Sequence, residues 1–383
     1  MAIHYLTDNS SLVELSSTLH NISEFSIDLE FDRNRYRYGF NLCLMQIYDG
    51  NDCYLIDPLL KNLDINLIFP PIENNEILKV VFAFGEDLRL LHSLGCFPKN
   101  LYDLDVATSL LNYKPTSLTN LIEEVLSIEV NSSSQDSNWY KRPLTEDQKH
   151  YAADDVLYLL DFKKALEVEA KKHGLSDWIK QENETFNHLD YSDEDHNNLI
   201  KQKDMKDMSK FEWHIYKKMM RFFDEVARSY NKPVYHLVSK KVLTAIAQDP
   251  DRVDQWNSER GIFGKLKNDS FQKKLSNVVR EAISEAERTG LSSTQKASQT
   301  MSSDEYREMR QQQSRISALK TKLMQPIQDK IAEDFGSHAK SFILPNRLAK
   351  EIIAGEAELV PDYKVNLLRR YANEMDLDLS RYI

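Results

Sequence analysis

Strand-like patterns crowd into the first 85 or so positions of this 383-residue chain, and from about residue 205 onward there are none. That division excludes an all-β fold and a single α/β layer throughout. It predicts an α/β domain with a mixed sheet, followed by purely helical domains. FSIDLEF (25–31) places Phe25, Ile27, Leu29 and Phe31 on one face and Ser26, Asp28 and Glu30 on the other, the period-two signature of a strand. Residues 42–49 and 53–59 read as a hairpin around Gly50-Asn51-Asp52, and the apolar run 78–84 as a buried strand. Helical patterns follow at 88–94, ended by Gly95, then at 104–112 and 117–128. A long helix is expected from 146 to 172, opened by a Thr145/Gln148 capping box and closed by Gly174.

Past residue 205, segments 209–229, 239–247, 251–259 and 270–288 are helix-like, and 291–303 is small, polar and aperiodic. A long helical pattern over 304–335 and further helices complete the chain. Val238-Ser-Lys-Lys-Val242 with Ile246 matches Leu344-Pro-Asn-Arg-Leu348 with Ile352 at an offset of 106, a faint internal repeat. The expected organisation is therefore 1–204, 205–290, a linker at 291–303, and 304–383.

The net charge of −11 argues against a nucleic-acid partner until it is divided. Residues 1–200 hold 16 Lys+Arg and 34 Asp+Glu, residues 201–300 hold 20 and 13, and residues 301–383 hold 13 of each. An acidic first half joins a basic middle, where Lys217, Lys218, Arg221, Lys240 and Lys241 among others suit an RNA backbone as well as they suit plain solvation. No apolar run reaches the ~18–20 residues of a membrane helix, and the N-terminus lacks the pattern of a secretory leader, so a cytoplasmic, membrane-free protein is expected. Three cysteines exclude a disulfide framework and a Cys-based zinc site, and the ten histidines show no ligand spacing.

Asp28 and Glu30, two apart on a strand, project to the same face, as ion-binding carboxylates must. Tyr151 and Asp155 share a helix face at i and i+4, and Ala152 and Ala153 between them allow close packing. Asp87 follows the 78–84 strand at the start of the next helix. Each feature alone is commonplace: a solvated strand face, an amphipathic helix, an acid in a first helical turn.

The order D-x-E, then Asp, then Y-x-x-x-D resembles the DEDD superfamily of 3′→5′ exonucleases, in its tyrosine subgroup. The stretches IDLEFDRNRYRYGFNLCLMQIYDG, FGEDLRLL, LYDLDVATSLL and NWYKRPLTEDQKHYAADDVLYLL are similar to the bacterial ribonuclease D family. Residues 205–290 are similar to its helicase-and-ribonuclease-D C-terminal (HRDC) module, and 304–383 to a diverged second copy. The resemblance implies an RNase H-like fold in the first domain. It also implies two divalent cations, Mg²⁺ or Mn²⁺, on Asp28, Glu30, Asp87 and Asp155, with Tyr151 orienting the attacking water. The implied activity is removal of nucleoside 5′-monophosphates from RNA 3′ ends, tRNA precursors being the family expectation, by a monomer. Asp103 corresponds to a family aspartate flanking the second motif. A DNA exonuclease, or an RNA-binding protein with a degenerate nuclease domain, are the competing readings.

The chain departs from the family pattern in three places: Leu29 stands where threonine is usual, Phe82 where a histidine precedes Asp87, and Ser132 to Asn138 lack the usual basic residues before Trp139. Candidate substrate contacts are Leu29, Phe31, Arg33, Gln46 and Arg142. Arg33, Arg35 and Arg37 alternate with Asn34, Tyr36 and Tyr38, a mixture suited to phosphates and stacked bases and equally to a solvated loop that balances nearby acids, while Trp139 with Arg142-Pro143-Leu144 reads first as an anchor for the entry to the last helix.

Overall fold

The computed structural model describes residues 1–130, 137–193, 199–298 and 303–383. The 132–138 departure from the family pattern therefore lies, as far as Asp136, outside the described residues. Two compact units emerge.

The first unit comprises 1–31, 42–193 and 309–383. Its sheet has the order β1-β4-β3-β2-β5-β6, with β1 Ile3–Leu6, β2 Glu24–Arg33, β3 Phe40–Tyr48, β4 Cys53–Ile56, β5 Leu78–Val81 and β6 Leu101–Asp103. β3 and β4 form the expected antiparallel hairpin, while β1–β4, β2–β5 and β5–β6 pair in parallel, giving the mixed sheet that the strand spacing predicts. Helices α1 Asn9–Leu19 and α2 Phe69–Glu73 precede α3 Gly85–Ser93, α4 Leu104–Leu110 and α5 Leu118–Leu126. The expected long helix is two: α6 Glu146–Leu157 and α7 Leu159–His173, parted at Tyr158, where φ and ψ are −93° and −8°. The Thr145/Gln148 capping box opens α6 and Gly174, at φ +71°, closes α7. α8 Ser176–Thr185 ends the nuclease-like part.

The second unit comprises 32–41 and 194–308. Its helices are α9 Lys210–Tyr230, α10 Val234–Leu237, α11 Lys240–Gln248 and α12 Asp269–Arg288, with a 3-10 turn at Pro250–Ser258. They enclose a core around Tyr216, Phe223, Leu243, Trp256 and Val279. Part of the 291–303 stretch is held in place here: Ala297 is buried and its N–H donates to the Met208 carbonyl at 2.8 Å.

The C-terminal helices α13 Ser303–Leu319, α14 Gln325–Phe335, α15 Ser337–Ile343, α16 Asn346–Ala354 and α17 Asp362–Glu374 follow. From residue 309 they belong to the first unit, sharing one core with Leu104, Ala107, Leu110 and Ile179. The sequence repeat has a structural counterpart: α11 and α16 are both nine residues long and start 106 positions apart.

Candidate active site

β2 lies centrally in the sheet, and its odd residues Phe25, Ile27 and Leu29 are buried. Ser26, Asp28 and Glu30 take the other face. The Ser26 hydroxyl donates to the Val156 carbonyl at 2.7 Å, tying the end of α6 to the strand. Ala152 and Ala153 are buried, so α6 approaches closely, packing with Val156 on Cys43, Leu44 and Leu55. The consequence is that Asp155 arrives beside the strand carboxylates: ligand oxygens of Asp28, Glu30 and Asp155 lie within 4.8 Å of one another. Asp87, in the first turn of α3 and only 8% exposed, adds a fourth negative group that acts on Asp28 and Glu30.

These carboxylates are stressed. Burial, then repulsion from Asp87, Asp155 and Glu30, holds Asp28 far above the usual range. Burial, then Asp155 and Asp87, pushes Glu30 up to about 9. Burial lifts Asp87 to about 7, against the pull of a backbone N–H, with Asp103 and Glu86 adding to the rise. Burial lifts Asp155 to about 7, opposed by the Tyr151 hydroxyl. Among the described residues, no Lys or Arg forms an ion pair with any of the four. A buried, unpaired cluster of this kind is costly unless cations enter. Its donors are all oxygen, which suits hard ions such as Mg²⁺ or Mn²⁺ and not thiolate-preferring ones. The residues present therefore fit the implied divalent cations.

Tyr151 is held by its surroundings. Its ring lies 6.2 Å from that of buried Trp139 at an interplanar angle of 36°. Burial and the nearby Asp155, Glu30 and Asp28 push its hydroxyl well above the ordinary tyrosine value, so it stays protonated.

The other sequence candidates have distinct placements. Leu29 is buried on the apolar face and Phe31 is half-buried. Gln46 is fully buried, with Oε1 and Nε2 lacking partners among the described residues. All five Arg142 donors are engaged: two reach the buried Asp57 carboxylate and three reach the carbonyls of Cys43, Trp139 and Lys141. The guanidinium thus staples the loop leading into α6 to the β3–β4 hairpin. Arg33 is exposed, in the segment grouped with the second unit.

Asp103 does more than flank the second motif. Its carboxylate accepts the N–H groups of Ala83 (2.8 Å), Phe84 (2.9 Å) and Asp105 (2.9 Å), and its own N–H donates to Asn183 Oδ1 at 2.8 Å. Ala83 has φ +50°, a left-handed conformation that costs an alanine about 1–2 kcal/mol. Asp103 therefore clamps the turn from which α3 starts, and Asp87 is on that first turn. Asp57 and Tyr5, whose hydroxyl also bonds Asp57, drew no attention in the sequence, because a contact across 52 residues has no local pattern.

Comparison with known proteins bears on the kind of domain that carries these residues. Residues 3–171 match the family model described as 3′-5′ exonuclease. The nuclease fold occupies the first part of the chain. A ribonuclease D of Zymomonas mobilis is 37% identical over 188 residues, and one of Nitrobacter hamburgensis is 30% identical over 183. Those matches cover 48% and 47% of this chain and 48% of each relative, so the chain spans about half the length of the curated relatives it matches. The crystal structure of Escherichia coli RNase D, an exoribonuclease involved in structured RNA processing, superposes with a TM-score of 0.68 at 21% identity. It covers 97% of this chain and 100% of that one, so the shared fold includes the helical C-terminal region.

Proposed function

We propose that this chain is a metal-dependent 3′→5′ exoribonuclease of the ribonuclease D type, with Asp28, Glu30, Asp87 and Asp155 holding two divalent cations and Tyr151 completing the tyrosine-subgroup site. The observation that carries the reading is the convergence of Asp28, Glu30 and Asp155 within 4.8 Å, with no basic partner among the described residues. Cations held there would supply charge for the phosphate and lower the pKa of a bound water. The chain's own residues do the rest. The fixed carboxylates would hold those cations, and the Tyr151 hydroxyl, kept protonated, hydrogen-bonds the attacking water and does not act as a base. The new P–O bond forms as the P–O3′ bond breaks, releasing a nucleoside 5′-monophosphate and a shortened RNA with a free 3′-hydroxyl.

RNA as the partner is supported by the basic balance of 201–300 and by the likeness in fold to Escherichia coli RNase D, itself an exoribonuclease involved in structured RNA processing. HRDC-type identity for the helical modules rests on the repeated α11/α16 segment, and tRNA precursors on the family resemblance. The test is a substrate panel. The purified chain is incubated with single-stranded RNA, matching DNA and a 3′-extended tRNA, each with Mn²⁺, Mg²⁺ or EDTA. Metal-dependent digestion of RNA, abolished by Asp28→Ala, is the expected result. Faster digestion of DNA would transfer the reading to a DNA exonuclease, and binding without digestion to a non-catalytic RNA binder.

A further inference from the structure

Gln46 carries a carboxamide with nothing to bond. The residue is 0% exposed, and neither Oε1 nor Nε2 has a partner among the described residues. An amide buried in that state costs free energy that an apolar side chain of the same size does not. Its place on the sheet decides what it faces. Gln46 is paired with Leu55 across the β3–β4 hairpin, and directly opposed residues of an antiparallel pair project to one side. Gln46 therefore shares with Leu55 the side on which α6 packs. The Ser26 bond to the Val156 carbonyl of α6 puts Ser26, Asp28 and Glu30 on that side too. β2 and β3 are sheet neighbours joined by six residues, and hence antiparallel. Counting inward from their joined ends, Arg33 and Phe40, sets Gln46 level with residues 26–28, one strand spacing of about 4.8 Å away. On this side that row holds Ser26 and Asp28. The Ser26 hydroxyl is committed to Val156, and the side chains that α6 lays there, Ala152, Ala153 and Val156, have no polar atom. Asp28 remains.

We infer that Gln46 is a positioning residue of the cation site: in the cation-loaded protein its Nε2 donates to the Asp28 carboxylate and fixes how that carboxylate meets the ions. Carboxylates that ligate metals are ordinarily held by a hydrogen bond from such an outer partner. The amide would then gain the bond it lacks, so cation binding and Gln46 support each other. Buried as it is, the side chain serves the carboxylate and does not touch RNA. The inference rests on the exoribonuclease reading for the presence of cations at the cluster.

The test titrates Mn²⁺ into the full chain by calorimetry, without RNA, and compares Gln46→Met, which keeps the side chain's length and removes its hydrogen-bonding atoms. Mn²⁺ affinity should fall about tenfold or more. The metal-free Tm should stay equal or rise, because an unsatisfied polar group is gone. Leu44→Met, a packing change on the same strand, should leave the affinity within about twofold. In RNA hydrolysis, the Mn²⁺ concentration giving half the maximal rate should rise by the same factor as the affinity falls. KM for RNA at saturating Mn²⁺ should stay within about twofold of the parent. A second measurement uses the parent chain labelled with ¹⁵N-glutamine. The side-chain NH₂ signal that is missing from Gln46→Met should shift on adding Mg²⁺ and exchange more slowly with solvent. An unchanged Mn²⁺ affinity or a stationary NH₂ signal would overturn the assignment. So would an affinity loss accompanied by a lower metal-free Tm, which marks a packing defect, or a raised KM at unchanged Mn²⁺ affinity, which marks a substrate contact. The two readings fail separately. Metal-dependent RNA digestion with parental Mn²⁺ affinity in Gln46→Met removes the positioning role and keeps the nuclease. A parent chain that takes up no Mn²⁺ removes the cation site and the positioning role together.

Discussion

At the scale of single residues, the carboxylate cluster makes the protein's stability depend on pH and metal in a definite sense. Glu30 sits at about 9 and Asp87 and Asp155 at about 7, all above their unfolded values near 4. The folded state therefore binds these protons more tightly. Their contribution to stability is greatest below about pH 4 and is lost as pH rises through 7 and then 9. In EDTA, Tm should fall between pH 5 and pH 9 by calorimetry, and Mn²⁺ at pH 8 should restore it. Asp28→Asn should raise the Tm of the metal-free protein at pH 8 while abolishing its response to Mn²⁺. Tyr151→Phe should lower kcat by about 100-fold with Mn²⁺ affinity and Tm little changed, if the hydroxyl serves the attacking water as proposed. Asp103→Asn should act differently. Replacing an acceptor oxygen by an NH₂ group against the Ala83 and Phe84 amides should loosen the turn carrying Asp87. Mn²⁺ affinity and Tm should then fall together, with activity partly recovered at high metal concentration. The cluster itself was legible because strand and helix periods bring Asp28 to Glu30 and Tyr151 to Asp155. The clamps were not, because Asp103 reaches back 19 and 20 residues and Arg142 reaches 85 to Asp57.

At the scale of elements, the expected strand over 78–84 stops at Val81, and the reason is chemical. The amides of Ala83 and Phe84 are taken by the Asp103 carboxylate instead of a neighbouring strand. The break between α6 and α7 at Tyr158 has no proline or glycine to announce it. The short strands β1 and β6, of four and three residues, give too little periodicity to be read. The capping box was readable, and it matters because α6 carries both Tyr151 and Asp155. Thr145→Ala should destabilise by about 1 kcal/mol in denaturant unfolding and lower kcat more than that loss of stability alone explains. Serine at position 26 plays a related part through its bond to the Val156 carbonyl.

At the scale of the whole molecule, the two helical blocks differ in what they join, which their faint sequence repeat does not reveal. The C-terminal helices share the core of the nuclease-bearing unit. Trp178 stacks on Tyr363 at 4.5 Å, the Tyr363 hydroxyl donates to Glu182 at 2.5 Å, and Lys364 pairs with the same carboxylate at 2.9 Å. Asn112 Oδ1 accepts the amides of His338 and Ala339. Truncation at residue 204 should thus expose Ala107, Leu110 and Ile179 and give an aggregation-prone product, whereas the intact chain stays monodisperse in size-exclusion chromatography. No helix among the described residues is long and apolar enough to cross a membrane. The net charge of −11 is uneven at this scale, since some of its acidity is concentrated in carboxylates that cations are proposed to neutralise.

The central claim is directional, metal-dependent removal of nucleotides by the Asp28, Glu30, Asp87 and Asp155 cluster. It is tested most directly by following one RNA labelled in parallel at its 5′ and its 3′ end, with Mn²⁺ present or chelated. The account predicts that the 3′ label leaves at once as a mononucleotide while the 5′ label steps down a ladder, both only with metal and neither with Asp28→Asn. Internal cleavage products, loss of the 5′ label first, or digestion that survives EDTA would contradict it.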